Sequence, residues 1–149
     1  MYRMSTNHEE CKKELLNYYS RYHFEWFCSL NMSQSNIIDA NALIKEWVRE
    51  MSIKDHIQVA CEGVLNYRPQ RHIHLLMRGK NDKGQSLLDK DETLWAKGWS
   101  TMTHRNAVIE PIENTGVLEY IINKNTPISR HEWLTPYNMR LLKKFAAGN

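Results

Sequence analysis

Two histidines one residue apart, in Arg71-His72-Ile73-His74-Leu75-Leu76, form the segment of this chain best suited to hold a cation. In an extended strand alternate side chains share a face, so His72 and His74 project together while Ile73 and Leu75 turn to the apolar side. Two imidazoles about 7 Å apart along a strand can converge on one divalent ion. The pair is a short pattern, and a solvated sheet face carrying two histidines would look the same. Glu62 adds a carboxylate, because a hairpin through residues 66–71 would fold its strand beside the histidines. Two imidazoles and a carboxylate suit Mn²⁺ better than Mg²⁺, and Zn²⁺ also. Three protein ligands leave open positions for substrate oxygens, as a catalytic ion requires. The structural alternative for Glu62 is a sheet-face carboxylate paired with a lysine or arginine.

A second group that could do chemistry is Glu119-Tyr120-Ile121-Ile122-Asn123-Lys124. On a helix, residues four apart stack on one face, so Tyr120 and Lys124 would stand together while Ile121 and Ile122 anchor the turn. A phenol is protonated at neutral pH, but a neighbouring ammonium or a metal-bound phosphate would make its oxygen a usable nucleophile. A packed tyrosine beside a solvated lysine gives the same spacing.

The elements that must position these groups read as follows. Residues 7–22 have apolar positions near helical spacing, and residues 24–30, Phe-Glu-Trp-Phe-Cys-Ser-Leu, alternate as a strand. Asp39-Ala40-Asn41 could cap a helix over residues 42–51, where Leu43, Trp47 and Met51 recur every four residues. Strands are expected over 57–65 and 71–77, joined by a turn that holds Pro69, with a polar loop over 79–84. Residues 95–102 read as a further strand, 114–122 as a helix capped by Asn114-Thr115, and 136–147 as a helix with Arg140, Lys143 and Lys144 near its end. That order predicts an α+β fold in which helices pack on an antiparallel sheet.

The chain has 149 residues, 42% hydrophobic and 25% charged, which suits one globular domain and excludes a coiled-coil rod or a disordered tail. It lacks the roughly 20 successive apolar residues of a membrane span, and MYRMSTNHEECKKELL has no signal-peptide core, so an intracellular protein is expected. Residues 1–60 carry 7 basic and 8 acidic side chains; residues 61–149 carry 13 and 9. The basic second half is compatible with a phosphate-bearing partner. Cys11, Cys28 and Cys61 are odd in number and lack CxxC spacing, which argues for buried thiols in a reducing compartment rather than disulfides or a cysteine-rich zinc site.

Taken together, the motifs resemble those of HUH endonucleases, in particular the nicking domain of rolling-circle replication initiators (Rep proteins) of small viruses and plasmids. Phe24-Glu25-Trp26-Phe27-Cys28-Ser29-Leu30-Asn31 resembles the first motif, Glu62 with His72-Ile73-His74 the metal motif, and Tyr120 with Lys124 the catalytic tyrosine motif. The likeness spans about residues 23–125, and the order of the three motifs carries it. One departure is YxxxK where Rep proteins often have YxxK.

The resemblance implies a ferredoxin- or RRM-like sheet and a divalent metal, Mg²⁺ or Mn²⁺, held by His72, His74 and Glu62. It further implies that Tyr120 attacks a phosphodiester to leave a 5′-phosphotyrosine and a free 3′-hydroxyl, with Lys124 against the phosphate or phenolate. The substrate would be single-stranded DNA or a strand exposed at a hairpin origin, with a separate helicase and polymerase completing replication; a homodimer is compatible with this. Single strands are held by basic grooves and stacked aromatics. Arg68, Arg71, Arg78, Lys80 and Lys83 surround the metal strand and loop in sequence, and Tyr67, Trp95 and Trp99 are candidate stacking rings, although core packing explains the tryptophans at least as well.

Two other readings fit parts of the chain. Leu94-Trp95-Ala96-Lys97-Gly98-Trp99-Ser100-Thr101 before a tyrosine-bearing helix is similar to a stretch of small HUH tyrosine transposases, but Lys124 stands where those enzymes have a glutamine ligand. A non-catalytic RRM-like nucleic-acid-binding module would share the element order and basic bias, but has no need of the paired histidines.

Overall fold

A computed structural model describes residues 8–33, 36–67, 70–113 and 132–148. Tyr120 and Lys124, the helix expected over 114–122, and Arg68 lie outside the described residues. The elements are α1 (His8–Ser20), β1 (Trp26–Asn31), α2 (Ile37–Asp55), β2 (Gln58–Asn66), β3 (His72–Lys80), α3 (Glu92–Thr103), β4 (Ala107–Pro111), β5 (Glu132–Trp133) and α4 (Met139–Ala146). The strands form one antiparallel sheet in the order β4-β1-β3-β2-β5, with β3, the strand of the paired histidines, at its centre. The expected α+β architecture is present, with helices on both faces.

Alternation along the strands divides two cores. One face buries Trp26, Cys28 and Leu30 of β1, Cys61 and Leu65 of β2, and Ile73, Leu75 and Met77 of β3 against Trp47 and Met51 of α2 and Trp95 and Trp99 of α3. The other buries Ala60, Val64 and Leu76 against Tyr19 of α1, Tyr22, Phe24, and Leu141, Leu142 and Phe145 of α4. With both sides covered, β2 is buried along almost its whole length. Cys28 and Cys61 are free and buried, and burial pushes both thiols up, so neither is a reactive thiolate. No helix among the described residues is long and apolar enough to cross a membrane.

Several local expectations are corrected. The segment expected as a strand over 95–102 is α3: Asp91 caps it by accepting from the Thr93 amide, and Trp95 and Trp99 form one buried stripe at helical spacing. Gly98 lets α3 lie close to α2, because a Cβ there would stand 2.6 Å from the Met51 sulfur. Helix α2 starts earlier than expected, at a capping box in which Asn36 accepts from the Asp39 amide and Asp39 from the Asn36 amide. Strand β3 runs on through Gly79 into the segment expected as loop, since the Glu25 carboxylate accepts from the Gly79 amide beside the strand's end. The C-terminal helix is shorter than expected and opens at an Asn138 cap, with Lys143 and Lys144 in its last turn.

Candidate functional site

The register sets out the site as rungs across one sheet face. Asn31, His72 and Asn66 lie directly opposite one another on β1, β3 and β2. The next rung on that face holds Val108, Ser29, His74, Val64 and Trp133, and the one after it Glu110, Phe27, Leu76 and Glu62. His72, His74 and Glu62 therefore share a face, as the hairpin reading requires. Glu62 is a diagonal neighbour of His74, a relation that spans about 7–8 Å. The apolar residues of α1 and α4 gather toward the Glu62–Leu76 end of this face. The first two rungs bring polar side chains from three strands together.

The two imidazole rings are in edge contact, 4.6 Å between centroids, and both are half-buried. His72 Nδ1 lies 2.8 Å from the Gln70 carbonyl, which can only accept, so Nδ1–H donates and that bond leaves Nε2 unengaged. His74 Nδ1 lies 3.4 Å from Asn66 Nδ2, and the His74 ring packs 5.3 Å from Phe27. An outer partner that fixes the ring and its tautomer is what a ligating histidine needs. Asn66, buried and opposite His72, is a site residue that sequence reasoning missed; only the cross-strand register exposes it.

Glu62 is 5% exposed. The Tyr18 hydroxyl donates to its Oε1 at 2.9 Å, while Oε2 is buried without a hydrogen-bond partner. Burial pushes the carboxyl up to about 7, against the opposing pull of the Tyr18 hydrogen bond. Among the described residues no three His, Cys, Asp or Glu side chains are gathered closely enough to hold a metal ion. The donors present on this face are two adjacent imidazoles and, one rung further along, a carboxylate whose second oxygen is buried and unsatisfied.

The basic residues divide. Arg71 stacks its guanidinium 4.9 Å from the Tyr67 ring centroid, beside His72 at the hairpin, and Tyr67 is 38% exposed. Arg78 is committed to the fold: its Nη1 donates to the Tyr22 carbonyl at 2.9 Å and its guanidinium lies 4.0 Å over Phe145. Lys80 and Lys83 are exposed at and beyond the far end of β3, eight residues or more and roughly 25 Å from His72. They stand at the loop end of that strand, apart from the histidines. Trp95 and Trp99 are fully buried, their indole N–H groups donating to Asp55 and to the Asn31 carbonyl, so neither is a stacking ring.

Comparisons of the chain with protein-family models, with curated proteins and with solved structures give no significant match.

Proposed function

We propose that this protein nicks and rejoins single-stranded DNA by tyrosine transesterification, in the manner of an initiator of rolling-circle-type replication. The observation that carries the reading is the pair of touching imidazoles on the central strand, on the same face as a buried carboxylate. His72, His74 and Glu62 are the residues to hold Mg²⁺ or Mn²⁺. A bound divalent ion would polarise the scissile phosphate and offset charge developing on its oxygens.

Tyr120, which lies in the sequence between β4 and β5, is the nucleophile of this proposal. Its phenolic oxygen forms a bond to phosphorus as the P–O3′ bond breaks, and the departing 3′-oxygen takes up a proton. The phosphotyrosine ester keeps the bond energy, so attack by a 3′-hydroxyl reverses the step and restores the phenol without a nucleotide cofactor. Lys124 sits against the phosphate or the phenolate. The Tyr67–Arg71 stack beside His72 offers a ring face and a cation to a flanking nucleotide.

The same stack would serve a non-catalytic binding module, and one experiment separates the two. Incubating the protein with a labelled, randomised pool of single-stranded DNA and Mn²⁺ should yield an SDS-resistant protein–DNA adduct. Tyr120→Phe should abolish the adduct while leaving DNA binding nearly unchanged. DNA binding with no adduct under any condition would establish the binding module, and an adduct that survives Tyr120→Phe would reassign the nucleophile, with Tyr137 next to be tested.

A further inference from the structure

Helix α2 turns Ala40, Ile44, Trp47, Val48 and Met51 into the core. Its opposite side keeps the helical period as well: Ile38, Ala42, Glu46, Arg49 and Ile53 form one exposed stripe. Ile38 is 73% and Ile53 68% exposed, so a large apolar side chain stands in solvent toward each end of the helix. Ala42, Lys45, Glu46, Arg49, Glu50 and Ile53 line a shallow groove along this side. Among the described residues neither Glu46 nor Arg49 has an ion pair in its own chain, whereas Glu50 is paired with Lys54 at 3.2 Å. From Ala42 through Glu46 and Arg49 to Ile53 the spacing is four, three and four, which is the seam of a two-helix pair.

We propose that this side of α2 docks antiparallel on the same side of a second copy of the chain. A two-fold axis midway between Glu46 and Arg49 brings Glu46 level with Arg49 of the second copy, and Ala42 level with its Ile53. Each pairing occurs twice. Such self-complementarity, in which one patch matches its own rotated image, is what a two-fold contact between identical subunits requires. Two pairs of opposite charge lie at the centre. The small Ala42 side chain leaves room for an isoleucine at each end, with Ile38 one turn beyond it. Parallel packing in register would instead set Glu46 against Glu46 and Arg49 against Arg49, and like charges so placed repel. Lys45 and Glu50 fall at the two edges of the seam, Glu50 already paired with Lys54. Helix α2 covers the tryptophan side of the sheet, and the histidines face the other way, so the dimer leaves both histidine faces open. The contact does not depend on the activity proposed above.

The test is analytical ultracentrifugation of the full chain over a concentration series, with circular dichroism on each variant. Wild type is expected to pass from monomer to dimer as its concentration rises. Glu46→Arg makes both charged seam positions basic, and Arg49→Glu makes both acidic. Each substitution sits on an exposed face, so each variant should keep the native spectrum while its self-association weakens by at least about tenfold. An equimolar mixture of the two variants should dimerise as well as wild type or better, because every charge then meets its opposite. Wild type that stays monomeric into the millimolar range overturns the proposal and leaves this face to solvent or to a different protein. A dimer that both variants retain, or one that mixing them does not restore, overturns the antiparallel α2 contact.

Discussion

Gly63→Ala is expected to destabilise the protein by about 3 kcal/mol or more, at or beyond the top of the range for overpacked cores. Gly63 lies in β2 opposite Leu75 of β3, between Glu62 and Val64. A Cβ at this position would stand 2.2 Å from the His74 carbonyl oxygen and 3.0 Å from the Leu75 Cα. Those obstacles are backbone, so no rotamer change relieves them, and β2 and β3 must part where they hold the site together. For a domain whose whole stability is about 5–15 kcal/mol, that is a large share. Urea denaturation measures it, and a change under about 1 kcal/mol would contradict the β2–β3 register. The loss should extend to function, because the strand forced away is the one that places His74.

Glu62→Gln is expected to change how stability depends on pH. The carboxyl is raised from an ordinary 4.5 to about 7 by burial. Below about pH 4.5 the folded and unfolded chains both hold the proton, and the contribution favouring the folded state is fully present. As pH rises, the unfolded chain loses its proton first, so this contribution falls away and is gone above about pH 7. The loss is on the order of 3 kcal/mol. The substituted amide does not titrate, and its oxygen can still accept from Tyr18. Urea melts in EDTA should therefore show the variant gaining on wild type between about pH 4.5 and 7.5, by an amount that levels off above about pH 7. A difference constant with pH would mean that Glu62 is not held in a desolvated site.

The sheet was legible because its strands alternate. Burying Ile73, Leu75 and Met77 on one side sends His72 and His74 to the other, and the turn after Asn66 sets β2 against β3. Alternation failed at residues 95–102, where tryptophans four apart, with Ala96, Lys97 and Gly98 between them, suit a strand and a helix alike. The Asp91 cap and the close fit of Gly98 against Met51 decide for the helix. Lys80 and Lys83, close to the histidines in sequence, stand apart from them in space, since an extended strand carries each successive residue about 3.3 Å further away. Tyr18 and Asn66 lacked any local signal. Tyr18 enters the site through a helix 44 residues earlier in the chain, and Asn66 through the rung it shares with His72, both matters of tertiary pairing.

Pulsed EPR of Mn²⁺ bound to the protein is the most direct test of the imidazole pair as a cation-binding edge. Nitrogen couplings from two histidine ligands are the predicted result, with one lost and affinity lowered at least about tenfold in His74→Ala, and likewise in His72→Ala. A bound ion without nitrogen coupling, or with a spectrum that neither substitution alters, would contradict the account.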